Sequence, residues 1–115
     1  MSVTIYHNPD CSKSRQTLEL LEKRGITPAI VEYLKTPPTA EKLKEILAQL
    51  GLRPRDLIRE KEAVYMECEL GNSSLSDDDL IGFMTQHPIL IERPIVLANG
   101  KAAIGRPPEQ VLAIL

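Results

Sequence analysis

The sequence predicts a single α/β domain over residues 1–115, built around a small mixed sheet. Two short apolar runs, at 3–6 and 29–33, flank a helical stretch at 12–24, which is the pattern of two parallel strands joined by a helix. The unbroken apolar character of 29–33 predicts a strand that is buried on both faces. Further along the chain, Asn99-Gly100 separates two strand-like runs and is a strong signal for a β-hairpin. The expected sheet therefore combines a parallel pair with a hairpin.

The helices are predicted from their own start and stop signals. The helix at 12–24 ends before Gly25, a residue type that readily takes the left-handed conformation of a helix end. Thr39 is a typical N-cap for a helix at 40–50. Ser76 begins another helix, which is expected to run to about Gln86, and the three aspartates that follow Ser76 suit a positive helix end better than a metal site. Shorter helices are expected at 54–58, 62–70 and 109–115, and the hairpin strands at 94–97 and 101–104.

Composition excludes several classes of protein. Aromatic residues make up 3% of the chain, the net charge is −2 and the sequence pI is about 5.7, so no nucleic-acid partner is expected. No apolar run reaches the ~20 residues of a membrane helix, and the first residues read as a strand rather than a signal peptide. We therefore expect no membrane partner and a cytoplasmic localisation. Two cysteines, Cys11 and Cys68, are too few for a disulfide framework or a zinc site.

Cys11 is the candidate reactive residue. It follows the turn cluster Asn8-Pro9-Asp10 and stands where the first predicted helix begins. The unpaired N–H groups and the dipole at such a helix start favour a thiolate, and Lys13 and Arg15 add positive charge nearby. The alternative is that Cys11 is a small buried hydrophobic residue, although its polar neighbours suit burial poorly.

Neighbouring residues refine this prediction. Ser14, one turn further on, is placed to donate a hydroxyl hydrogen bond to the sulfur of Cys11, and His7 acts either as a charged neighbour or by ordering the loop. Ser14 also replaces the second cysteine of a Cys-x-x-Cys motif, and Thr17 replaces the arginine of a phosphatase-like Cys-x5-Arg loop. The centre is therefore predicted to hold one thiol and to need an external reductant. Cys68, between two acidic residues, is expected to be structural or incidental, with a resolving thiol as the alternative.

Four segments carry a resemblance to a known family: His7-Asn8-Pro9-x-Cys11-Ser12-Lys13-Ser14-Arg15, Leu57-Ile58-Arg59, His87-Pro88-Ile89-Leu90-Ile91-x-Arg93-Pro94-Ile95-Val96 and Gly105-Arg106-Pro107-Pro108-Glu109. With these segments the sequence resembles the ArsC-type arsenate reductases, the glutaredoxin-coupled class on a thioredoxin-like fold. The similarity extends over nearly the whole chain, and it is closest to a small branch whose members are named arsenate reductases by similarity. It implies a thioredoxin-like α/β fold with packed helices, a helical insertion and a cis peptide bond between Arg93 and Pro94.

The resemblance also implies roles for single residues and for partners. Cys11 is the implied nucleophile, and His7 and Ser14 match positions that help to activate the thiol. Three arginines are implied to surround the cysteine and bind an oxyanion: Arg59, Arg93 and Arg106. Guanidinium groups suit this task because they bind two oxygens at once and stay protonated. Glutathione is implied as co-substrate and glutaredoxin as partner protein, with no bound cofactor and no metal, and a monomer is expected.

The expected function is the reduction of arsenate to arsenite through a covalent adduct on Cys11. One alternative is a redox regulator of the Spx type that binds RNA polymerase, although such proteins generally carry Cys-x-x-Cys at this position. The other is a glutaredoxin-like reductase of mixed disulfides, which needs a reactive Cys11 but no trio of arginines.

Overall fold

The computed structural model describes residues 2–115 and confirms the predicted α/β class. The chain forms two compact units. The sheet unit contains residues 2–36 and 93–115, and the helical unit contains residues 37–92. In sequence, the helical unit is inserted between the second and third strands, as the thioredoxin-like prediction with a helical insertion requires.

The sheet unit holds a four-stranded mixed sheet. Its strands are β1 (Val3–Tyr6), β2 (Ala29–Val31), β3 (Ile95–Ala98) and β4 (Lys101–Ile104). The strand order is β2-β1-β3-β4, with β1 parallel to β2 and antiparallel to β3. Strands β3 and β4 form an antiparallel hairpin whose turn residues, Asn99 and Gly100, have φ values of 55° and 71°. A two-residue hairpin turn of this type needs positive φ at both positions, so the turn predicted from Asn99-Gly100 is confirmed.

The prediction that β2 is buried on both faces is wrong. Ile30 is 50% exposed and Ala29 is exposed as well. Among the described strands β1 is the single neighbour of β2, so β2 is an edge strand. An apolar run therefore formed a parallel strand, as expected, but at the margin of the sheet rather than inside it.

The core of the sheet unit lies where the first helix and the end of the chain pack against the sheet. Helix α1 (Ser12–Lys23) contributes Leu21, and β1 and β3 contribute Ile5 and Val96, which face each other in register. The last segment, Pro108–Ile114, adds Val111 and is a 3₁₀ helix that contacts α1 and β4. These core side chains are fully buried, which favours folding through removal of apolar surface from water.

The helical unit contains α2 (Ala40–Leu50), α3 (Pro54–Leu57), α4 (Ala63–Glu67), α5 (Asp77–Gln86) and a 3₁₀ turn at Pro88–Leu90. Helices α2 and α3 pack against α5. Two predicted N-caps are confirmed, since the hydroxyls of Thr39 and Ser76 accept backbone N–H groups three residues on. Asp79 completes a capping box with Ser76, in agreement with the helix-start role predicted for these acids. Over residues 2–115, no helix is both long and apolar enough to cross a membrane.

Candidate active site

The loop between β1 and α1 is held by its own hydrogen bonds. The backbone N–H of His7 donates to the carbonyl of Val31 at 2.8 Å, which continues the pairing of β1 with β2. Asn8 then closes a tight turn, because its side-chain oxygen accepts the N–H of Asp10 at 3.0 Å and its carbonyl accepts the N–H of Cys11 at 3.0 Å. The turn places Cys11 at the N-cap of α1, which confirms the helix start predicted there, and the residue has an extended conformation.

The thiol of Cys11 is partly buried and lies among positive groups. Burial raises the pKa of this thiol, but the backbone N–H groups of Ser14 and Lys13, a hydrogen bond from the Arg93 side chain and the charge of Arg106 lower it. The combined effect places the pKa of Cys11 below its ordinary value. A thiol in this setting is more fully ionised near neutral pH, and the thiolate is the nucleophilic form.

Two arginines reach the thiol from the segments that precede β3 and follow β4. Arg93 is 8% exposed and is joined to Pro94 by a cis peptide bond, in agreement with the prediction. Arg106 donates from Nη2 to Cys11 Sγ at 3.5 Å and from Nε to the carbonyl of Arg93 at 2.7 Å. Arg106 thus links the thiol to the backbone at Arg93. A second cis bond, between Arg106 and Pro107, was not predicted from the sequence.

The hydroxyl of Ser14 does not take the place that the sequence predicted. Ser14 is fully buried, and its Oγ lies 2.5 Å from His7 Nδ1 and accepts the N–H of Asn8 at 3.0 Å. Among the described residues these two groups are the hydrogen-bond partners of the hydroxyl, while the backbone N–H of Ser14 is the group that acts on Cys11. The side chain of Ser14 therefore stabilises the loop, and its backbone N–H stabilises the thiolate of Cys11.

His7 is buried and its chemistry follows from that burial. Desolvation lowers the pKa of His7, the charge of Glu32 raises it and the charge of Arg15 lowers it, with a net decrease. The neutral imidazole is the favoured form, and its Nδ1 pairs with the Ser14 hydroxyl. Of the two roles considered for His7, loop ordering fits this arrangement better than a nearby positive charge.

Arg59 belongs to the helical unit, and its contacts there are with carboxylates. Its Nε donates to Glu62 at 3.1 Å and its Nη1 donates to Glu92 at 2.7 Å. Burial lowers the pKa of the Arg59 guanidinium, but Glu92 and Glu62 together raise it above its ordinary value. The structure thus brings Cys11, Arg93 and Arg106 together in the sheet unit, and describes Arg59 among two glutamates in the helical unit.

Gly105 and Thr17 are site residues that the sequence did not single out for this purpose. A Cβ atom on Gly105 would overlap the Thr17 side chain and stand 2.8 Å from Pro94 Cγ. The N–H of Gly105 also donates to the carbonyl of Pro94 at 2.9 Å. The absence of a side chain at Gly105 therefore lets the segment that carries Arg106 lie against α1 and Pro94. The available signal was the glycine that directly precedes Arg106 after a predicted strand.

Within residues 2–115, no group of three or more His, Cys, Asp or Glu side chains is arranged to hold a metal ion. Cys68 is partly buried and free, and it lies at the end of α4 in the helical unit. The polar groups assembled around Cys11 favour anion chemistry, because they combine helix N–H groups with two guanidinium groups.

The fold and this thiol centre define a thioredoxin-like protein with a low-pKa cysteine at the start of its first helix. The model of the ArsC family matches residues 6–114, and the chain belongs to the ArsC family. This finding confirms the resemblance drawn from the sequence motifs.

Individual relatives match over nearly their full length. An arsenate reductase of Neisseria meningitidis (serogroup A / serotype 4A) is 52% identical over 114 residues, which cover 98% of this chain and 97% of that protein. A protein of Escherichia coli K12 called uncharacterized protein YfgD is 56% identical over 114 residues, or 98% of this chain and 96% of that protein. Among solved structures, an arsenate reductase from Vibrio cholerae is similar with a TM-score of 0.98 at 59% identity, covering 100% of this chain and 98% of that one.

Proposed function

We propose that this protein reduces arsenate to arsenite, with Cys11 as the nucleophile. The observation that carries the proposal is the Arg106 Nη2 group 3.5 Å from Cys11 Sγ, at a helix start where further N–H groups act on the sulfur. The Cys11 thiolate attacks the arsenic atom of arsenate, an S–As bond forms and one oxygen leaves as water after protonation. Relatives named arsenate reductase at 52% identity support this choice of substrate.

The proposed oxyanion ligands are Arg59, Arg93 and Arg106. Arsenate resembles phosphate in shape and charge, and a guanidinium group binds such oxygens through two parallel N–H donors. Arg93 and Arg106 already contact the sulfur that would carry the arsenic, so they are placed to hold its oxygens in the adduct. Arg59 enters the proposal through the family motif Leu57-Ile58-Arg59.

The electrons come from thiols outside the chain. Reduction of arsenic from As(V) to As(III) takes two electrons, and two thiols supply them when they join in one disulfide. We assign these thiols to glutathione and glutaredoxin. Glutathione attacks the Cys11 sulfur of the adduct, the S–As bond breaks, and arsenite leaves with the electron pair of that bond. The glutaredoxin thiol then cleaves the disulfide between Cys11 and glutathione, which frees Cys11 and leaves a glutathione–glutaredoxin disulfide. Ser14 occupies the position of a second local cysteine, so the centre has no resolving thiol beside Cys11. The proposed enzyme needs no bound cofactor, and acts as a cytoplasmic monomer.

The test is arsenate-dependent oxidation of NADPH in a mixture of glutathione reductase, glutathione and glutaredoxin. Cys11→Ser should abolish this activity, and Cys68→Ser is the matched control that should retain it, because these are the two cysteines of the chain. Equal rates for the wild type and Cys11→Ser would reject the proposal. Turnover of a glutathione mixed disulfide without any arsenate turnover would support the glutaredoxin-like alternative, and retention of RNA polymerase in a pull-down would support the regulator.

A further inference from the structure

Arg59 is held between two carboxylates by a hydrogen-bonded segment of the helical unit. Ile58 and Ile91 form an antiparallel β-bridge, flanked by the backbone bond from the Arg59 N–H to the Leu90 carbonyl at 2.7 Å. In this register Arg59 and Glu92 are diagonal neighbours on the same face, where long side chains meet. Their ion pair, 2.7 Å from Nη1 to the carboxylate, is therefore set by the backbone.

The two carboxylates divide the donor edges of the guanidinium. An arginine offers two edges for bidentate binding, one formed by Nε with Nη2 and one formed by Nη1 with Nη2. Glu62 takes Nε at 3.1 Å, and Glu92 takes Nη1 at 2.7 Å. Each carboxylate thus engages a nitrogen that belongs to one of these edges, so an oxyanion that binds an edge through two bonds competes with a carboxylate for Arg59.

Glu92 pairs with the tip of the Arg59 side chain, whereas Glu62 pairs with its stem. Nε lies on the stem, and Glu62 is only three residues further along the chain, so this pair holds the stem in place. Nη1 lies at the tip, where Glu92 is the resident partner. The Arg59, Glu62 and Glu92 side chains are 21%, 24% and 29% exposed, so the pairs are partly shielded from water and salt.

We propose that Glu92 is a resident counter-ion of Arg59 that an incoming tetrahedral oxyanion displaces, and that this exchange sets the affinity of Arg59 for oxyanions. The inference rests on the proposed function, in which Arg59 binds the oxyanion, and it adds a specificity-determining residue to that site. Glu92 occupies Nη1 until a ligand with more charge and two bonds replaces it, which keeps weakly bound anions away from the tip of Arg59. Glu62 is a positioning residue that orients the same guanidinium.

The test measures how fast phenylglyoxal modifies Arg59 in the full chain, scored by peptide mass spectrometry, over a titration of inorganic sulfate. Sulfate is a tetrahedral dianion that protects an arginine it binds and that the thiolate does not reduce. Glu92→Gln should modify faster without sulfate and should reach half-protection at about fivefold less sulfate than the wild type. Glu62→Gln is the matched control and should not shift the half-protection point to lower sulfate.

Other outcomes overturn the inference. A half-protection point that is unchanged or higher in Glu92→Gln would mean that Glu92 positions Arg59 rather than competing for it. A lack of sulfate protection in every variant would mean that Arg59 binds no oxyanion. The arsenate assay is separate from this readout. If the half-protection point shifts as expected but arsenate is not turned over, the role of Glu92 as counter-ion is supported and the proposed substrate is rejected.

Discussion

Arg106 Nη2 and Cys11 Sγ lie 3.5 Å apart although the two residues are separated by 95 positions in the sequence. The contact joins the segment after β4 to the start of α1, and the same guanidinium donates to the carbonyl of Arg93 at 2.7 Å. Because an arginine stays protonated at all physiological pH values, its charge acts on the thiol continuously. The thiolate of Cys11 is therefore stabilised by a long-range contact as well as by its own helix.

Arg106→Ala should raise the pKa of Cys11, because it removes one of the charges that lowers it. Alkylation of Cys11 by iodoacetamide near neutral pH should slow by roughly threefold or more, since the thiolate is the reacting form. The measurement is the pH dependence of alkylation, read at Cys11 by mass spectrometry. Arg106→Lys keeps the charge but loses the Nε bond to Arg93, so its alkylation rate should lie between those of the wild type and Arg106→Ala. A pH profile unchanged in Arg106→Ala would contradict this account.

Ser14→Ala should destabilise the fold more than it changes the thiol. The substitution leaves the N–H of Asn8 and the ring of His7 without their buried partner, which costs about 1–3 kcal/mol. The backbone N–H of residue 14 remains, so the pKa of Cys11 should stay low. Denaturant unfolding measures the first effect and the alkylation profile measures the second. Ser12→Ala, exposed in the same helix, is the control and should change stability by less than ~0.5 kcal/mol. A raised pKa of Cys11 with unchanged stability would instead support the predicted hydrogen bond from the Ser14 hydroxyl to the sulfur of Cys11.

The fold could be predicted wherever the signal is local. Asn99-Gly100 needs two positive φ angles for its turn, and Ser76 needs only its own helix start, so both were read correctly from neighbouring residues. The burial of β2 depends on which strands lie beside it, and no local pattern carries that information. Ile30 was therefore expected inside the sheet and is found at its edge.

The same division applies to the candidate site. Cys11 was found from its own surroundings, because a turn, a helix start and basic neighbours adjoin it in sequence. Arg93 and Arg106 were proposed only through a family resemblance, since the contacts that bring them to the sulfur span most of the chain. In the sequence, Thr17 is notable only because it replaces the arginine of a Cys-x5-Arg loop. Its packing against Gly105 arises from the tertiary fold alone.

The protein should lose stability as the pH is lowered, because His7 becomes protonated. The pKa of His7 is lowered from its ordinary value of 6.5, so the unfolded chain binds this proton more tightly than the folded chain does. The resulting loss begins as pH drops through the unfolded pKa and is complete below the folded pKa. His7→Asn should therefore show a shallower fall in unfolding free energy as the pH drops below about 7. His87→Asn, at the other histidine of the chain, is the control. Equal slopes for wild type and His7→Asn would show that other groups cause the change.

Gly105→Ala should both destabilise the protein and weaken the thiolate. The new Cβ would overlap the side chain of Thr17, which is fully buried and bonded through Oγ1 to the Lys13 carbonyl at 2.8 Å. Because Thr17 is buried and hydrogen-bonded, we expect the segment that carries Arg106 to shift. Overpacking of this kind costs about 1–3 kcal/mol, and a displaced Arg106 should raise the pKa of Cys11.

A double variant separates this steric cause from a general effect of alanine. Thr17→Ala removes both Thr17 atoms that the new Cβ would meet, so it should partly restore the stability and the low thiol pKa of Gly105→Ala. The matched control is Gly82→Ala in α5, where a Cβ meets nothing within 4 Å and a helix former should be neutral or stabilising by up to ~1 kcal/mol. Unfolding curves and alkylation profiles of all four variants provide the comparison. If the effects of Thr17→Ala and Gly105→Ala simply add, the two residues do not act through their contact, which would contradict the steric explanation.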